Sequence, residues 1–219
     1  MEYLEELTSR YPVLEAVKDQ VLAAYEILRD CYAGGGKVLI AGNGGSCADS
    51  EHIVGELMKG FVKRRPVSGE FAAALREADA NRGEELASCL QGGLPAIALT
   101  GHAGLSTAFL NDVNGKMIYA QQLYGYGKKG DVFIGISTSG NSANVIGALQ
   151  AARKQSLFTI GLTGDGGGRM APLCDILLAV GHPSTPLVQE THAAIGHMLC
   201  ALTDYYLFEN VMAIKPMLD

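Results

Sequence analysis

Five short apolar segments recur along the 219-residue chain, and each is hydrophobic throughout rather than at alternate positions. Continuous hydrophobicity of this kind predicts strands that are covered on both faces, as in a parallel sheet. The predicted strands are Lys37–Ala41, Ala96–Thr100, Asp131–Ile136, Phe158–Leu162 and Asp175–Val180. Segments with helical spacing lie between them, so the chain is predicted to alternate β and α units joined by right-handed crossovers.

Two long helical patterns flank the strand segments. The first spans about residues 2–31 with a break near Pro12, and the last spans about residues 186–208 and is apolar around much of its circumference. A helix that apolar is usually buried on several sides. We therefore expect the two helices to form a pair that supports self-association.

Residues 68–93 stand apart from this alternation, because they are rich in Ala, Glu and Arg and have helical spacing on both sides of a break at Asp79–Gly83. The segment is too short to bury a core of its own. We interpret it as a helical insertion, at about residues 67–94, within a single domain that spans residues 1–219.

Composition and charge exclude several classes of function. A formal charge of −6 and a pI near 5.4 argue against nucleic-acid binding, and the basic run Lys63–Arg65 is typical of a solvated helix end. No apolar run is long enough to span a bilayer, and the acidic N-terminus lacks a signal-peptide pattern. Five scattered cysteines without C-x-x-C spacing indicate reduced thiols. We expect a cytoplasmic protein with no nucleic-acid or membrane partner.

A serine loop, Ser-Thr-Ser-Gly-Asn-Ser at residues 137–142, follows the third predicted strand and precedes a helical segment. The first turn of a helix has unpaired N–H groups and the positive end of the helix dipole, so an anion is stabilised there. An ordinary Ser-rich helix cap is the alternative, but a cap needs one hydroxyl and four are present. The loop therefore predicts binding of a phosphorylated small molecule.

A glycine loop, Gly42–Ser46, follows the first predicted strand. Its glycines allow a ligand close to the backbone, and Asn43 and Ser46 offer neutral donors suited to sugar hydroxyls. The dinucleotide fingerprint G-x-G-x-x-G is absent because Cys47 occupies its last position, and no Gly-Lys-Ser/Thr of a P-loop follows. A nicotinamide-dependent oxidoreductase is thereby excluded, and no nucleotide cofactor is expected.

Two predicted helices have polar residues that suit proton transfer. His52 and Glu56 lie four residues apart on one helix face, where they suit acid–base chemistry or half of a metal site; a plain surface pair is the alternative. On the last helix, Gln189, His192 and His197 are costly to bury without partners, so we expect them to face a cavity or a subunit interface. For either histidine alone, a hydrogen-bonded core position is the alternative.

Together, these motifs resemble the sugar isomerase (SIS) domain family, and within it most closely the phosphoheptose isomerases. The resemblance extends from the first long helix to the last. It is carried by Gly42–Ser46, His52-x-x-x-Glu56, Asn111-Asp112, Ser137–Ser142, and Gln189-Glu-x-His192 with His197. The segment at residues 67–94 is a departure, since the family pattern passes almost directly from Arg65-Pro66 into the second strand.

The resemblance implies a flavodoxin-like three-layer α/β sandwich with a five-stranded parallel sheet, in a homotetramer whose active sites form between subunits. It implies that Glu56 and His197 are catalytic. Some members bind zinc through residues that match His52, Glu56, Gln189 and His197. The implied substrate-binding positions, to which Ser46 and Glu56 are added, are Asn43, Gly44, Gly45, Asn111, Asp112, Ser137, Thr138, Ser139, Ser142 and Gln189.

The implied activity is isomerisation of a phosphosugar between ketose and aldose, from sedoheptulose 7-phosphate to a heptose 7-phosphate, through a cis-enediolate. Glu56 would act as the base, while His197 from another subunit would move a proton between oxygens or open the sugar ring. The alternative is a non-catalytic SIS module, either a phosphosugar sensor or a scaffold like the DnaA-binding relatives. Such a module could lose the acid and base, so the presence of Glu56 and His197 favours the enzyme.

Overall fold

The computed structural model describes residues 2–79 and 81–209. Its five strands are β1 (Val38–Ala41), β2 (Ala96–Ala98), β3 (Val132–Ser137), β4 (Phe158–Thr163) and β5 (Ile176–Ala179). They form one parallel sheet in the order β2-β1-β3-β4-β5. Each strand lies within its predicted segment or extends one residue beyond it, and the flavodoxin-like order confirms the predicted fold class.

The helices occupy the segments between and around the strands. The α-helices are α1 (Glu2–Arg10), α2 (Lys18–Ala33), α3 (Gly45–Met58), α4 (Gly69–Ala78), α5 (Gly83–Cys89), α6 (Ala103–Phe109), α7 (Ile118–Tyr126), α8 (Ala143–Lys154) and α9 (Thr185–Glu209). Shorter 3-10 helices lie at Pro12–Val17, Gly115–Met117 and Gly168–Leu173, and a π-helical turn lies at Leu110–Asn114. Because Pro12 has no N–H with which to continue α1, the first helical segment is broken there, as predicted.

Helices cover both faces of the sheet. On one face, Ile40 and Ile134 pack in a core formed with α2, α3 and α9. On the other face, Leu39 and Phe133 pack in a second core with α7 and α8. Successive side chains of a strand point to opposite faces, so a sheet between two cores needs apolar residues at every position.

The long helices at the two ends of the described chain pack against each other. The rings of Tyr25 in α2 and Tyr206 in α9 have centroids 5.4 Å apart, and Val21, Ile195 and Leu199 are at most 3% exposed. These apolar faces are buried in the chain's own core. Contrary to expectation, the helix pair therefore does not present them for self-association. Of the helices that the structure describes, none combines the length and hydrophobicity needed to cross a bilayer.

The segment interpreted as an insertion contains a helical hairpin of α4 and α5. Its two ends are joined, since Pro66 and Gln91 form an antiparallel bridge and the N–H of Gly92 donates to the carbonyl of Arg65 at 2.7 Å. The predicted break falls between the two helices. The assignment of the whole chain to one domain stays a prediction.

Candidate active site

The glycine loop and the serine loop meet where the sheet changes its winding direction. In the order β2-β1-β3-β4-β5, the chain passes from β1 to β2 at one edge of the sheet, and from β3 it continues through β4 to β5 at the other edge. The winding direction therefore changes between β1 and β3. Doubly wound sheets bind ligands in the crevice that opens at this point, beyond the carboxyl ends of the strands. The glycine loop follows β1 and the serine loop follows β3, so both lie at this crevice, as predicted.

The glycine loop is a tight turn that opens α3. Gly44 has a φ of 58°, a conformation that favours glycine. A Cβ on Gly45 would lie 2.5 Å from Gln189 Nε2, so a residue with a side chain there would displace the end of the Gln189 side chain. Ser46 is 3% exposed whereas Asn43 is exposed. Asn43 is therefore the more accessible of the two side-chain donors predicted for this loop.

The serine loop is a closed turn at the N-terminus of the 12-residue helix α8. Ser137 Oγ and Ser142 Oγ are 2.9 Å apart. Gly140 has a φ of 64°, and a Cβ there would lie 2.1 Å from a main-chain oxygen of the loop after β4. Thr138 is half-buried and Ser139 is exposed. The predicted strand-to-helix turn is confirmed, with hydroxyls at its surface; its binding of phosphate stays a prediction.

Three of the side chains predicted for catalysis and metal binding meet in one pocket between α3 and α9. His52 Nε2 lies 3.3 Å from His197 Nε2 and 3.7 Å from Glu56 Oε1. The Glu56 side chain is 15% exposed and forms an ion pair with Lys59 at 3.2 Å. Residues lining the pocket are Asp49, His52, Ile53, Glu56, Ala193, Gly196, His197 and Cys200. A carboxylate and two imidazoles at these distances can accept and return protons.

Close packing of α3 and α9 brings these side chains together within one chain. A Cβ on Gly196 would lie 3.0 Å from the side chain of Ile53, so a residue with a side chain there would force a local shift. Cys200 Sγ lies 3.9 Å from the carbonyl oxygen of Ile53. The expectation that His197 arrives from another subunit is therefore wrong, because α9 presents it to α3 of its own chain.

Two further residues of this pocket were not identified from the sequence. Asp49 lies three positions before His52, so helical spacing from His52 could have indicated it. One of its carboxylate oxygens is buried without a described partner, and burial raises the pKa of this carboxyl, although His52 opposes the shift. Burial also raises the pKa of the Cys200 thiol to about 12, so that thiol stays protonated.

The donor set of the pocket fits a zinc ion in part. Ligand nitrogens about 2.0–2.1 Å from a tetrahedral zinc lie about 3.3 Å apart, which matches the separation of 3.3 Å between His52 and His197. Glu56 Oε1 is somewhat farther, at 3.7 Å from His52. The amide of Gln189 lies against Gly45 instead, and the described residues include no group of three or more His, Cys, Asp or Glu already in metal-binding positions.

Asn111 and Asp112 lie on the exposed π-helical turn, away from the lining of this pocket. Asn111 Nδ2 donates to Asp112 Oδ1 at 2.8 Å. Their neighbours Leu110 and Val113 are 68% and 65% exposed. The structure thus does not bring this pair to the α3–α9 pocket of the same chain, and its contact with substrate stays a prediction.

His192 is fully buried in the chain's own core. The expectation that it faces a cavity or a subunit interface is therefore wrong. His192 lies beside the main chain of Thr163 at the end of β4. No hydrogen bond of normal geometry reaches either ring nitrogen within the described chain, although the main chain of Thr163 lies close enough for a weaker interaction. Burial lowers the pKa of the imidazole, with a smaller opposing effect from Thr163, so His192 is neutral in the folded protein at neutral pH.

We expect the replacement His192→Leu to reduce the loss of stability at acid pH. Since the folded-state pKa is lowered, the unfolded chain binds more protons than the folded chain below the ordinary pKa of 6.5. This contribution is fully retained above that pH and is lost as pH falls, by up to about 1.4 kcal/mol per pH unit. Urea unfolding between about pH 7.5 and about pH 5 measures the slope.

The exposed His102 offers a matched control for this experiment. The replacement His102→Leu removes an imidazole that is not buried, so it should retain more of the wild-type pH dependence. Equal slopes for His192→Leu and the wild type would contradict a neutral buried imidazole at this position.

A buried ion pair beside the pocket contradicts the prediction that the basic run after α3 is a solvated helix end. Arg65 and Asp204 are 1% and 0% exposed, and Arg65 Nε lies 2.6 Å from Asp204 Oδ1. Asp204 Oδ2 accepts the main-chain N–H groups of Val62 and Lys63 at 2.5 and 2.6 Å. Arg65 Nη1 donates to the carbonyl of Leu57 at 2.7 Å. The pair therefore connects the end of α3 to α9.

Comparison with known proteins places the chain in a family. It matches the SIS domain model over residues 2–88 and 72–164. The phosphoheptose isomerase of Desulfovibrio desulfuricans is 46% identical over 188 residues, which cover 86% of this chain and 77% of the relative. That of Aneurinibacillus thermoaerophilus is 39% identical over 204 residues, which cover 89% of this chain and 90% of the relative.

Solved structures show the same similarity. The phosphoheptose isomerase of Neisseria gonorrhoeae superposes with a TM-score of 0.72 at 32% identity, covering 93% of this chain and 95% of the other. That of Francisella tularensis gives a TM-score of 0.73 at 29% identity, with the same coverage. The loops at the crevice, the sheet order and these similarities agree: the chain belongs to the SIS domain family.

Proposed function

We propose that the protein is a phosphosugar isomerase that converts sedoheptulose 7-phosphate to an aldoheptose 7-phosphate. The observation that carries the proposal is the pocket in which His52, Glu56 and His197 meet, in a chain that is 46% identical to a phosphoheptose isomerase. A non-catalytic phosphosugar-binding module would not require these proton-transfer groups.

Binding of the phosphate is assigned to the serine loop. The hydroxyls of Thr138, Ser139 and Ser142 and the first turn of α8 offer neutral donors and the positive end of a helix dipole. The rest of the sugar would extend from this loop across the crevice to the glycine loop and the α3–α9 pocket. In this arrangement one end of the substrate is anchored while the other end reacts.

Proton transfer is assigned to the pocket. Glu56 removes the proton from the carbon next to the ketose carbonyl, which leaves a cis-enediolate, and returns it to the neighbouring carbon to form the aldose. His197 moves a proton between the two oxygens or opens the sugar ring. His52 contacts both partners and positions them. The enediolate requires such stabilisation because it is too unstable to form readily in bulk water.

The proposal is tested by incubating the purified protein with sedoheptulose 7-phosphate and following aldose formation, with shorter phosphorylated ketoses in parallel. Conversion of the seven-carbon ketose at the highest kcat/KM is the expected result. Binding of phosphosugars without conversion of any of them would instead favour the non-catalytic module.

In the serine loop, the replacement Ser139→Ala is expected to weaken substrate binding by about 1 kcal/mol or more, at least about fivefold in Kd, because a hydrogen bond to a charged group is lost. Titration calorimetry with the phosphosugar measures the change. Ser9→Ala, at an exposed position of α1, is the control. Unchanged affinity and turnover for Ser139→Ala would remove this hydroxyl from the site.

We further propose that His52, Glu56 and His197 hold a zinc ion, with Gln189 as a fourth ligand once its side chain turns away from Gly45. The spacing of the two imidazoles supports this proposal. When bound, the metal would act as a Lewis acid that stabilises the developing oxyanion.

Elemental analysis of metal-replete, dialysed protein is expected to show about one zinc per chain, because two imidazoles and a carboxylate are sufficient protein ligands for a catalytic site. The replacement His52→Gln should lower the content, while His102→Gln at an exposed site should not. Absence of stoichiometric metal in the wild type would refute the metal site and leave the roles of Glu56 and His197 open.

Self-association is assigned to the surface of α6 and the turn that follows it. Leu105, Leu110, Val113 and Met117 are between 37% and 68% exposed there. Such an apolar patch marks an interaction site, and a subunit contact would bring Asn111 and Asp112 to a neighbour. We propose a homotetramer.

Light scattering should give four times the chain mass for the wild type. The replacement Leu110→Glu should lower this mass, because it places a charge in the apolar patch. A monomeric wild type would exclude the assembly.

The compartment is inferred from the cysteines, all five of which are free thiols. Unpaired thiols are typical of a reducing environment. We propose that the enzyme works in the cytoplasm, which cell fractionation tests directly.

A further inference from the structure

Asn144, the second residue of α8, contacts the side chain of Asn43 across the crevice. Asn43 Nδ2 donates to Asn144 Oδ1 at 3.0 Å, and Asn144 Nδ2 donates to Asn43 Oδ1 at 2.8 Å. The two residues lie 101 positions apart in the sequence, after the neighbouring strands β1 and β3. This reciprocal amide pair directly joins the glycine loop to the helix that begins after the serine loop.

Two further contacts orient the pair. The main-chain N–H of Val145 donates to Asn144 Oδ1 at 3.0 Å, which distinguishes the oxygen of this carboxamide from its nitrogen. On the other side, the Tyr119 hydroxyl donates to the carbonyl of Gly42 at 2.6 Å and lies 3.3 Å from Asn43 Oδ1. Tyr119 is 5% exposed, and burial raises its pKa to about 12, so the hydroxyl keeps its proton.

The pair leaves hydrogen-bond donors for a ligand. A carboxamide has two N–H groups and one oxygen, and the reciprocal pair uses one N–H and the oxygen of each partner. One N–H of Asn43 remains outside the pair. A donor of this kind suits the hydroxyl, carbonyl or phosphate oxygens of a phosphosugar.

Asn43 depends on this contact because the neighbouring residues of its own loop do not fix the orientation of its side chain. It is flanked by Gly42 and Gly44, and its side chain is exposed. Without Asn144 the carboxamide would keep only the longer contact of its Oδ1 with the Tyr119 hydroxyl, and binding would have to order it at a cost in affinity. An orientation set before the substrate arrives avoids that cost.

We propose that Asn144 is a positioning residue of the isomerase, which holds the Asn43 carboxamide in the orientation that binds substrate. The inference rests on the proposed function and adds a residue outside the site predicted from the sequence. Asn144 acts through Asn43, so its effect should appear mainly in substrate binding rather than in the proton-transfer step.

The test is a double-mutant cycle on Asn43 and Asn144. For each variant, KM and kcat are measured by steady-state kinetics and the Kd for the phosphosugar by calorimetry. Asn144→Ala should raise KM and Kd roughly tenfold, within the range of coupling between contacting residues, and change kcat by less than about threefold. In an Asn43→Ala background the same replacement should change KM by less than about twofold. Gln150→Ala, at an exposed position later in α8, should behave as the wild type.

A second variant separates positioning from helix stability. Asn144→Asp keeps an oxygen to accept the N–H groups of Val145 and Asn43 and suits the helix N-terminus, but it cannot donate to Asn43 Oδ1. One of the two hydrogen bonds of the pair is kept, so this variant should raise Kd more than twofold but less than Asn144→Ala does, with the melting temperature retained. The inference is overturned if both variants bind within twofold of the wild type, or if their effect persists in full without Asn43. Wild-type protein that binds phosphosugar without turnover would overturn the isomerase function instead, since Kd still reports on Asn144.

Discussion

The replacement Glu56→Gln is expected to lower kcat by roughly two to four orders of magnitude, the usual contribution of a positioned acid or base. Glutamine keeps the shape of the side chain in the α3–α9 pocket, but it cannot accept the proton next to the carbonyl. Substrate affinity should largely survive, because the phosphate is assigned to the separate serine loop. Steady-state kinetics give kcat, and calorimetry gives the Kd.

Glu51→Gln is the matched control, since Glu51 lies on the same helix but is exposed and accepts a hydrogen bond from Thr100. Its turnover should stay close to that of the wild type. Zinc content measured on the same preparations distinguishes loss of the base from loss of a metal ligand. Near-normal turnover of Glu56→Gln with the true substrate would show that another group is the base.

The replacement Asp204→Asn is expected to destabilise the protein by about 3–5 kcal/mol, because it leaves the buried guanidinium of Arg65 without a counter-charge. Both side chains are at most 1% exposed, so water cannot replace the lost partner. The contacts of Asp204 with the chain after α3 weaken as well. Urea unfolding gives the free energy, and isomerase activity should fall because the pair connects α3 to α9.

Two controls identify the cause of this effect. The pair Arg76–Glu84 in the α4–α5 hairpin has side chains that are 50% and 70% exposed, so Glu84→Gln should lower the free energy of unfolding far less than Asp204→Asn does. Replacing Arg65 by Met and Asp204 by Leu together should cost less than Asp204→Asn alone, since no charge then remains buried, although the main-chain N–H groups of Val62 and Lys63 lose their acceptor. A loss below about 1 kcal/mol for Asp204→Asn would mean that the ion pair is not a major source of stability.

Much of the fold follows from patterns that are local in the sequence. A strand covered on both faces must be apolar at every position, so the five strands could be located to within a residue or so at most ends. The two loops of the crevice could be located as well, because a loop that follows a parallel strand lies at the carboxyl edge of the sheet. The pair His52 and Glu56 shares a helix face by spacing alone.

Contacts between distant segments could not be predicted from such local patterns. His52 and His197 are 145 positions apart, Arg65 and Asp204 are 139, and Asn43 and Asn144 are 101. Nothing in the sequence near Arg65 distinguishes a buried guanidinium from a solvated one.

The sequence by itself determined the alternation of strands and helices, the two loops of the crevice and the residue types available for proton transfer, because these depend on neighbours within a few positions. The tertiary structure alone decided that His197 meets His52 within one chain, that His192 is buried beside the main chain of Thr163, and that the carboxamides of Asn43 and Asn144 form a hydrogen-bonded pair. The physical reason is that burial and pairing depend on how helices pack over the sheet. A small residue such as Gly196 sets the distance between α3 and α9, and that distance decides which polar groups meet.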